Sequence, residues 1–433
     1  MPFQFIFDIM PRIFAEVYGC SSNFSDCEIA LGMLRGSGFD IVDDLKKSDL
    51  NIIFTCTVKV PTLNRMIFRI RQLSNLNKPL IVAGCMTKTE RRIIEGINPK
   101  ASLVGPNSIQ KIVDVANRTM MGKKIVCLED ASEPKVCLPK LKRNQIIGIV
   151  QISTGCLSNC SYCSVKYARG KLFSYSPEMI VSEARSLIRE GCKEIWLASQ
   201  DGGCYGIDEG VRLPELLEKI CNIDGKFFIR VGMMNPLHVK RIADQLIDAY
   251  KNEKVFKFLH LPVESGSDDV LNAMNRGYKV KDFVDIVDKF KKSMRITLCT
   301  DVIVGFPTES DEDFDRTMDL IERIKPDIVN ISKFGARPGT PAAGMKQLQP
   351  QAVNARSKKL FELVKKIALG KNKEWIGWKG DILVTKSIAK DTFMGSNFAY
   401  KPTIVESSEN LIGKFVNVEI IGAKSNYLLG KLM

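Results

Sequence analysis

The sequence predicts an α/β protein in three parts: an N-terminal open parallel α/β sheet domain, a central partial (β/α)6 barrel, and a small closed β-barrel at the end. Three observations predict it. From about Ile13 to Met345, short apolar, β-branched runs alternate with amphipathic stretches of helical period, the order that builds parallel sheets covered by helices. A Pro- and Lys-bearing stretch, Gly122 to Asn144, interrupts that alternation. Beyond Gly380 the pattern changes to short strands separated by Gly, Asn and Ser, as in small barrels. The boundaries expected are 1–121, a linker at 122–144, 145–345, a linker helix at 346–374, and 375–433.

Taken in order, the first part shows strands at Ile13–Tyr18, Leu50–Thr55, Leu80–Ala83 and near Leu103. Helices are expected at Asn23–Leu34, Val60–Leu73, Lys88–Glu95 and Ile109–Met120. Ligands of such sheets sit outside the carboxyl ends of the strands. Cys20, Cys56 and Cys85 follow three successive strands at equivalent places. Any one alone reads as an ordinary buried Cys; three at the same position favour a shared metal site. Cys27, inside a helix, reads as core. Cys127 and Cys137 lie in the linker without partners at metal spacing.

The central part opens on Ile146–Gly155, a buried strand that ends in a glycine turn, and Cys156, Cys160 and Cys163 follow on one loop. Such short gaps suit the corners of one iron–sulfur cube. A zinc site would ask for a fourth Cys or His nearby, and the next Cys is Cys192. Three protein ligands on a four-iron cluster leave one iron open for chemistry. Strands at Glu194–Ala198, Phe227–Val231, Phe256–Leu261, Ile296–Val304 and Ile328–Ser332, with helices between them, complete six units. Polar or glycine-rich groups stand near each carboxyl end, where barrel sites lie. Gly202, Gly203 and Gly305 would let a backbone approach a ligand closely, and Arg230 and Glu264 could hold its polar groups; ordinary turn chemistry explains each singly.

From Pro350 to about Trp375 a helix carries Arg356, Lys358, Lys359, Lys365 and further lysines opposite a stripe of Leu360, Leu363, Val364 and Ile367. Five short strands follow. Their Lys386, Lys390, Phe393, Tyr400, Lys401 and Lys414 are candidates for a nucleic-acid face. The net charge of +14 also favours a polyanionic partner. No apolar run approaches the roughly 18 residues of a membrane span, and Met1–Ile9 lacks the basic start of a signal peptide. Thirteen cysteines then point to a reducing compartment, the cytoplasm, and to metal rather than disulfides. Translation can start at Met1 or Met10.

With Tyr162 before its last Cys, the Cys-x3-Cys-x2-Cys loop resembles that of the radical S-adenosylmethionine (AdoMet) enzymes, whose barrel is TIM-like. The resemblance implies that the open iron binds AdoMet and that an electron splits it into methionine and a 5′-deoxyadenosyl radical. It narrows to the methylthiotransferases. Cys20 stands in Tyr-Gly-Cys-x-x-Asn, Cys56 in Thr-Cys and Cys85 in Gly-Cys, as their second cluster site requires. Phe54 stands where that family usually has Asn. His260–Ser267, Met274–Tyr278, Asp301–Glu309 and Arg337–Pro341 resemble its barrel segments, with Glu264 in place of a more frequent Gln. The terminal barrel resembles the TRAM domain.

What the resemblance implies is a tRNA methylthiotransferase with two 4Fe-4S clusters, one on Cys156, Cys160 and Cys163 and one on Cys20, Cys56 and Cys85. It would use two S-adenosyl-L-methionine molecules per turnover, an external electron donor and a sulfur source. Segments such as Tyr167–Lys171, Glu194–Asp201 and Gly203–Gly206 look most like the archaeal and eukaryotic branch. That branch converts N6-threonylcarbamoyladenosine (position 37, beside the anticodon) to its 2-methylthio derivative. Isopentenyladenosine of tRNA and an aspartate of a ribosomal protein are the alternative substrates. A non-catalytic iron–sulfur RNA-binding protein is the alternative of another class.

Overall fold

Strand order explains why the N-terminal sequence reads as it does. The computed structural model describes residues 10–130 and 133–433; Met1–Ile9, expected to be no signal peptide, lies outside the described residues. Six parallel strands, β1 (Arg12–Val17), β2 (Asp40–Ile41), β3 (Leu50–Thr55), β4 (Leu80–Gly84), β5 (Ser102–Val104) and β6 (Val126–Cys127), form one sheet in the order β2-β1-β3-β4-β5-β6. All six residues of β3 are buried, since a central parallel strand is covered on both faces. Ile52 and Phe54 pack on one face with Ile13 and Leu34, while Ile53 packs on the other with Met66, Ile70 and Val82. The period of two sends neighbours to opposite sides.

Two differences from expectation appear here. The helix expected at Lys88–Glu95 is broken at Glu90 into Met86–Thr89 and Arg91–Ile97. The expected linker is built into this unit. Val126–Cys127 is the sixth strand, Gly32 lies against Pro139, and Lys135 is buried. Lys135 Nζ donates to Asp26 Oδ1, and the Arg143 backbone N–H donates to Glu28 Oε1 at 3.1 Å. Two-residue strands and single ion pairs leave no periodicity to read. Among the described residues this compact unit comprises 10–130, 133–143 and 164–170, and residues 144–163 and 171–433 form a second.

In the second unit, β7 (Ile147–Gln151) begins the half-barrel, and a two-strand ribbon of β8 (Ser153–Thr154) and β9 (Phe173–Ser174) follows. β10 (Glu194–Ala198) lies between β7 and β11 (Phe228–Val231), and β13 (Thr297–Val304) lies between β12 (Phe258–His260) and β14 (Ile328–Lys333), all parallel. An isolated bridge, Ile229↔Val255, links β11 to the segment before β12. Between β11 and β12 the helical segment is in two pieces, Pro236–Val239 and Ala243–Lys251.

The long helix is Pro350–Lys373. Its Arg356 is not part of a phosphate-facing stripe: it is buried, giving Nη1 to Glu309 Oε2 and Nη2 to Asp311 Oδ1, both at 2.7 Å. The last five strands, β15 (Lys379–Ala389), β16 (Thr392–Ser396), β17 (Pro402–Glu406), β18 (Phe415–Ala423) and β19 (Leu428–Leu432), close into a barrel in the order β15-β16-β17-β19-β18. Trp375, Ile382, Val384, Phe393, Val405, Val418 and Leu428 fill it.

The loop before β17 docks on the half-barrel. Tyr400 lies 4.8 Å from the Phe256 ring and 5.0 Å from that of Phe258, and Phe398 O accepts from Lys257 N at 2.8 Å. Lys401 Nζ donates to Asp327 Oδ1 at 2.8 Å and to Asn372 Oδ1 at 2.7 Å. Phe393, Tyr400 and Lys401 are therefore internal groups, which corrects their expected place on a nucleic-acid face. Lys386, Lys390 and Lys414 are exposed as that face requires.

Candidate functional site

Chemistry-bearing side chains gather at two places, one in each unit. In the second unit, β7 delivers the chain to Gly155, whose N–H donates to Gln200 Oε1 at 2.7 Å. Cys156, Cys160 and Cys163 follow on one loop and are all partly buried. Cys156 Sγ accepts from Ser158 N at 3.3 Å, and a bond of 3.2 Å from Cys163 N to Cys160 O closes the turn. Cys160 Sγ accepts from Arg276 Nη1 at 3.2 Å. The same nitrogen lies 3.3 Å from the hydroxyl of Tyr162, which donates to Glu264 Oε1 at 3.0 Å. Burial pushes the Cys160 thiol up, and Arg276 opposes that rise.

Glu264 holds an uncommon backbone, φ 68°, at a cost of order 1–3 kcal/mol for a non-glycine residue. Two backbone bonds fix it there, Glu264 N to Asp301 O at 2.8 Å and Ile303 N to Glu264 O at 3.0 Å. Its carboxylate is buried near Arg276. Tyr162, Glu264 and Arg276 thus form one network on the Cys160 sulfur. Hydrogen bonds of this kind tune iron–sulfur centres and orient their ligands. Three thiols on one loop, one already accepting a charged donor, fit a cluster that leaves one iron without a protein ligand.

Sequence reasoning missed two residues here. Arg276 lies in Met-Asn-Arg-Gly-Tyr, more than a hundred positions from the loop, and only folding brings it to Cys160. Cys204 is the Cys that folding places beside Cys156, whereas Cys192 is buried elsewhere, near Gln145 O. The sulfurs of Cys156 and Cys204 and an Asp201 carboxylate oxygen lie within 4.8 Å of one another. A hydrogen bond from Cys204 pulls the Cys156 thiol down. The readable signal was the Gly-Cys pair of Gly203 and Cys204 at a strand end.

The other expected ligand-holding residues are placed differently. Arg230 is not poised over the cysteine loop; its guanidinium lies over the rings of Trp196, Phe258 and Tyr400 at 5.0, 5.1 and 5.3 Å. Such a cage stabilises a cation by about 0.5–2 kcal/mol per ring and makes Arg230 a strut between the barrels. At Gly305 a Cβ would stand 2.5 Å from Val353 of the long helix. At Gly202 the same test meets Met234 at 3.4 Å, and at Gly203 it meets His238 at 3.2 Å. On the Cβ side, these glycines admit neighbouring side chains.

The first unit holds the other place. β1, β3 and β4 are neighbours, with Val17 opposite Phe54 and Thr55 opposite Gly84. Cys20, Cys56 and Cys85 therefore emerge from adjacent strand ends. Gly19 (φ +111°) lets the chain pass Cys56, since a Cβ on it would stand 2.5 Å from Cys56 Cβ and 2.8 Å from its Sγ. Burial pushes the Cys56 thiol up to about 12, with the neighbouring Cys20 and Cys85 adding to the rise. Cys85 is pushed up by burial and pulled back by Arg169. Phe54 turns into the apolar core beside Ile52, so no polar group stands there in place of the usual Asn. Three adjacent thiols with a buried cation fit a second cluster.

Residues 150–321 match the radical SAM superfamily, residues 12–105 the uncharacterized protein family UPF0004, and residues 370–433 the TRAM domain. Among solved structures, the radical S-adenosylmethionine methyltransferase TsrM of Kitasatospora setae shares the fold, with a TM-score of 0.58 at 14% identity over 77% of each chain. Fold and site together define a radical AdoMet enzyme. The chain is also similar to curated proteins over nearly its whole length. It is 40% identical to the probable threonylcarbamoyladenosine tRNA methylthiotransferase of Pyrococcus abyssi, over 98% of this chain and 100% of that one. It is 35% identical to the threonylcarbamoyladenosine tRNA methylthiotransferase of Xenopus laevis, over 97% and 77%. The chain belongs to the threonylcarbamoyladenosine tRNA methylthiotransferase family.

Proposed function

We propose that the chain is the tRNA methylthiotransferase that converts N6-threonylcarbamoyladenosine beside the anticodon to its 2-methylthio derivative. The observation that carries this reading is the pairing of two thiol triads, each at strand carboxyl ends of its own parallel sheet, in a chain alike to that family from end to end. Cys156, Cys160 and Cys163 would hold one 4Fe-4S cluster and Cys20, Cys56 and Cys85 the other. Bound there, the two clusters and two AdoMet supply hydrogen abstraction, the inserted sulfur and its methyl group. The chain's own part is to hold them: Arg276 donates to the Cys160 sulfur, and Tyr162 fixes the Glu264 carboxylate.

tRNA is the partner that the TRAM match and the exposed Lys386, Lys390 and Lys414 support. An external electron donor and a sulfur source complete the reaction. No helix among the described residues is long and apolar enough to cross a membrane, and the cytoplasm is the proposed location. The test is anaerobic reconstitution with iron and sulfide, then incubation with AdoMet, dithionite and tRNA bearing threonylcarbamoyladenosine. Mass spectrometry of the digested tRNA should show the 2-methylthio nucleoside. Formation of 5′-deoxyadenosine with that nucleoside untouched would refute the substrate, and no 5′-deoxyadenosine at all would refute the chemistry.

A further inference from the structure

Next to the thiols of the first unit lies a buried group of charges that does not balance. Asp26 Oδ1 accepts from Lys135 Nζ and Asp26 Oδ2 from Arg169 Nη2, each at 2.8 Å. All three side chains are at most 2% exposed. One carboxylate therefore serves two cations, and one positive charge is left over. Arg169 Nε and Nη1 are buried without a hydrogen-bond partner among the described residues. The Asn107 side chain donates to Arg169 O at 3.2 Å and pins the backbone. The helix Val165–Arg169 packs on Met86–Thr89, which Cys85 opens, and Ser164 Oγ lies 3.2 Å from Thr57 Oγ1 next to Cys56; from there the guanidinium acts electrostatically on Cys85, Cys20 and Cys56.

Leaving a charge uncompensated in a protein interior is expensive, so two idle donors beside three thiols ask for an anion. A four-iron core of charge two plus, held by three thiolates, carries one net negative charge, and two after taking up an electron. We infer that Arg169 is a positioning residue of the second cluster site: held by Asp26 and Lys135, it neutralises the negative charge that cluster and thiolates bring, and so favours the cluster's reduced state. The inference rests on the proposed two-cluster reading. It assigns work to Arg169 that the cysteines alone do not do.

The test uses the full chain with Cys156, Cys160 and Cys163 changed to Ala, so that iron reports on the second site alone. Arg169→Met and Arg169→Lys are compared with Arg169 in that background, after anaerobic reconstitution with iron and sulfide. At one fixed ambient potential, the ratio of reduced to oxidised cluster, read by electron paramagnetic resonance, should fall at least tenfold in Arg169→Met. Tenfold is about 59 mV for a one-electron couple. Arg169→Lys should recover most of the ratio. Without iron the signs reverse: Arg169→Met should unfold at the same or a higher temperature, since it removes the surplus charge.

A purely structural role predicts the opposite, with a less stable iron-free Arg169→Met and an unmoved ratio, and that result overturns the inference. Should Arg169→Met hold too little iron for resonance, its iron-free stability and the iron content of Arg169→Lys decide. A stable Met variant with an iron-loaded Lys variant supports the inference, and any other pair overturns it. Absence of iron from the parent with Arg169 intact would instead count against a second cluster altogether.

Discussion

The two thiol sites are built by opposite means. Cys156, Cys160 and Cys163 share one loop after one strand, so their spacing is local and survives in the sequence as a motif. Cys20, Cys56 and Cys85 come from three strands, and only the order β1-β3-β4 makes them neighbours. Each site recruits one buried arginine from elsewhere in the chain, Arg276 for the first and Arg169 for the second. Arg276 donates to a thiol sulfur directly, while Arg169 is held by a carboxylate with two donors unused. A loop site can thus be tuned by one hydrogen bond. A strand-end site has to be held by the sheet and balanced by charge.

The comparison breaks if the two sites are not separate, and the largest expected effect tests that. Changing Cys156, Cys160 and Cys163 to Ala should abolish 5′-deoxyadenosine formation and remove about half of the bound iron. Changing Cys20, Cys56 and Cys85 should remove about the other half and leave AdoMet cleavage largely intact. Iron analysis and chromatography of the nucleoside products measure both. Full iron content in either triple variant would mean that its cysteines hold no cluster.

Arg276 sharpens the contrast one level down. Arg276→Met removes the donor to Cys160 and leaves Tyr162 and Glu264 without their cation. Losses of about 10–100-fold are usual when such supporting partners are removed, and AdoMet cleavage should fall by that much with the thiols intact. A rate within twofold of the parent, at equal iron content, would show that the network does not act on the cluster.

Legibility in the sequence followed the same line between local and assembled. Strand β3 was readable to the residue because a buried central strand has to be a continuous apolar run. The five terminal strands were readable from their turn residues, although closure into a barrel is a matter of pairing. The cysteine loop was readable from spacing, and the strand-end cysteines from topology and a family resemblance. Arg276, Asp26 and Arg169 were not readable, because each acquires its partner only through contacts distant in sequence, and Cys204 left only its Gly-Cys pair as a signal. Lys401 and Tyr400 were misplaced for a related reason. A lysine or tyrosine in a loop between short strands looks exposed until Asp327 and the Phe256 ring are seen to receive it.

That misplacement separates substrate docking from both sites. Changing the exposed Lys386, Lys390 and Lys414 to Gln should weaken tRNA binding and make its dependence on log salt shallower, by up to about three units if each meets a phosphate. Lys401→Met should leave the salt slope alone. It should instead lower stability by about 3–5 kcal/mol, the cost of stranding a buried Asp327. Binding titrations across a salt series and thermal unfolding distinguish the two. A slope changed by Lys401→Met and not by the triple variant would put the tRNA on another face.

The smallest expected effect concerns the hydroxyl of Tyr162. Each site has a tyrosine donating to a glutamate: Tyr162 to Glu264 at 3.0 Å, and Tyr18 to Glu16 at 2.9 Å. Glu16 also accepts from Arg69, so it keeps a strong partner if Tyr18 becomes Phe. Glu264 stands at the loop site, 3.9 Å from Arg276 Nη2. Tyr162→Phe should therefore cost about 1 kcal/mol, or about fivefold in AdoMet cleavage, through a carboxylate less well held beside the Cys160 loop. Tyr18→Phe should leave that cleavage unchanged, because its carboxylate keeps Arg69 and the cleavage is proposed for the other site. Initial rates of 5′-deoxyadenosine formation at equal iron content measure both. Equal losses in the two variants would mean that the hydroxyls act through general stability, and that Tyr162 plays no special part at the loop site.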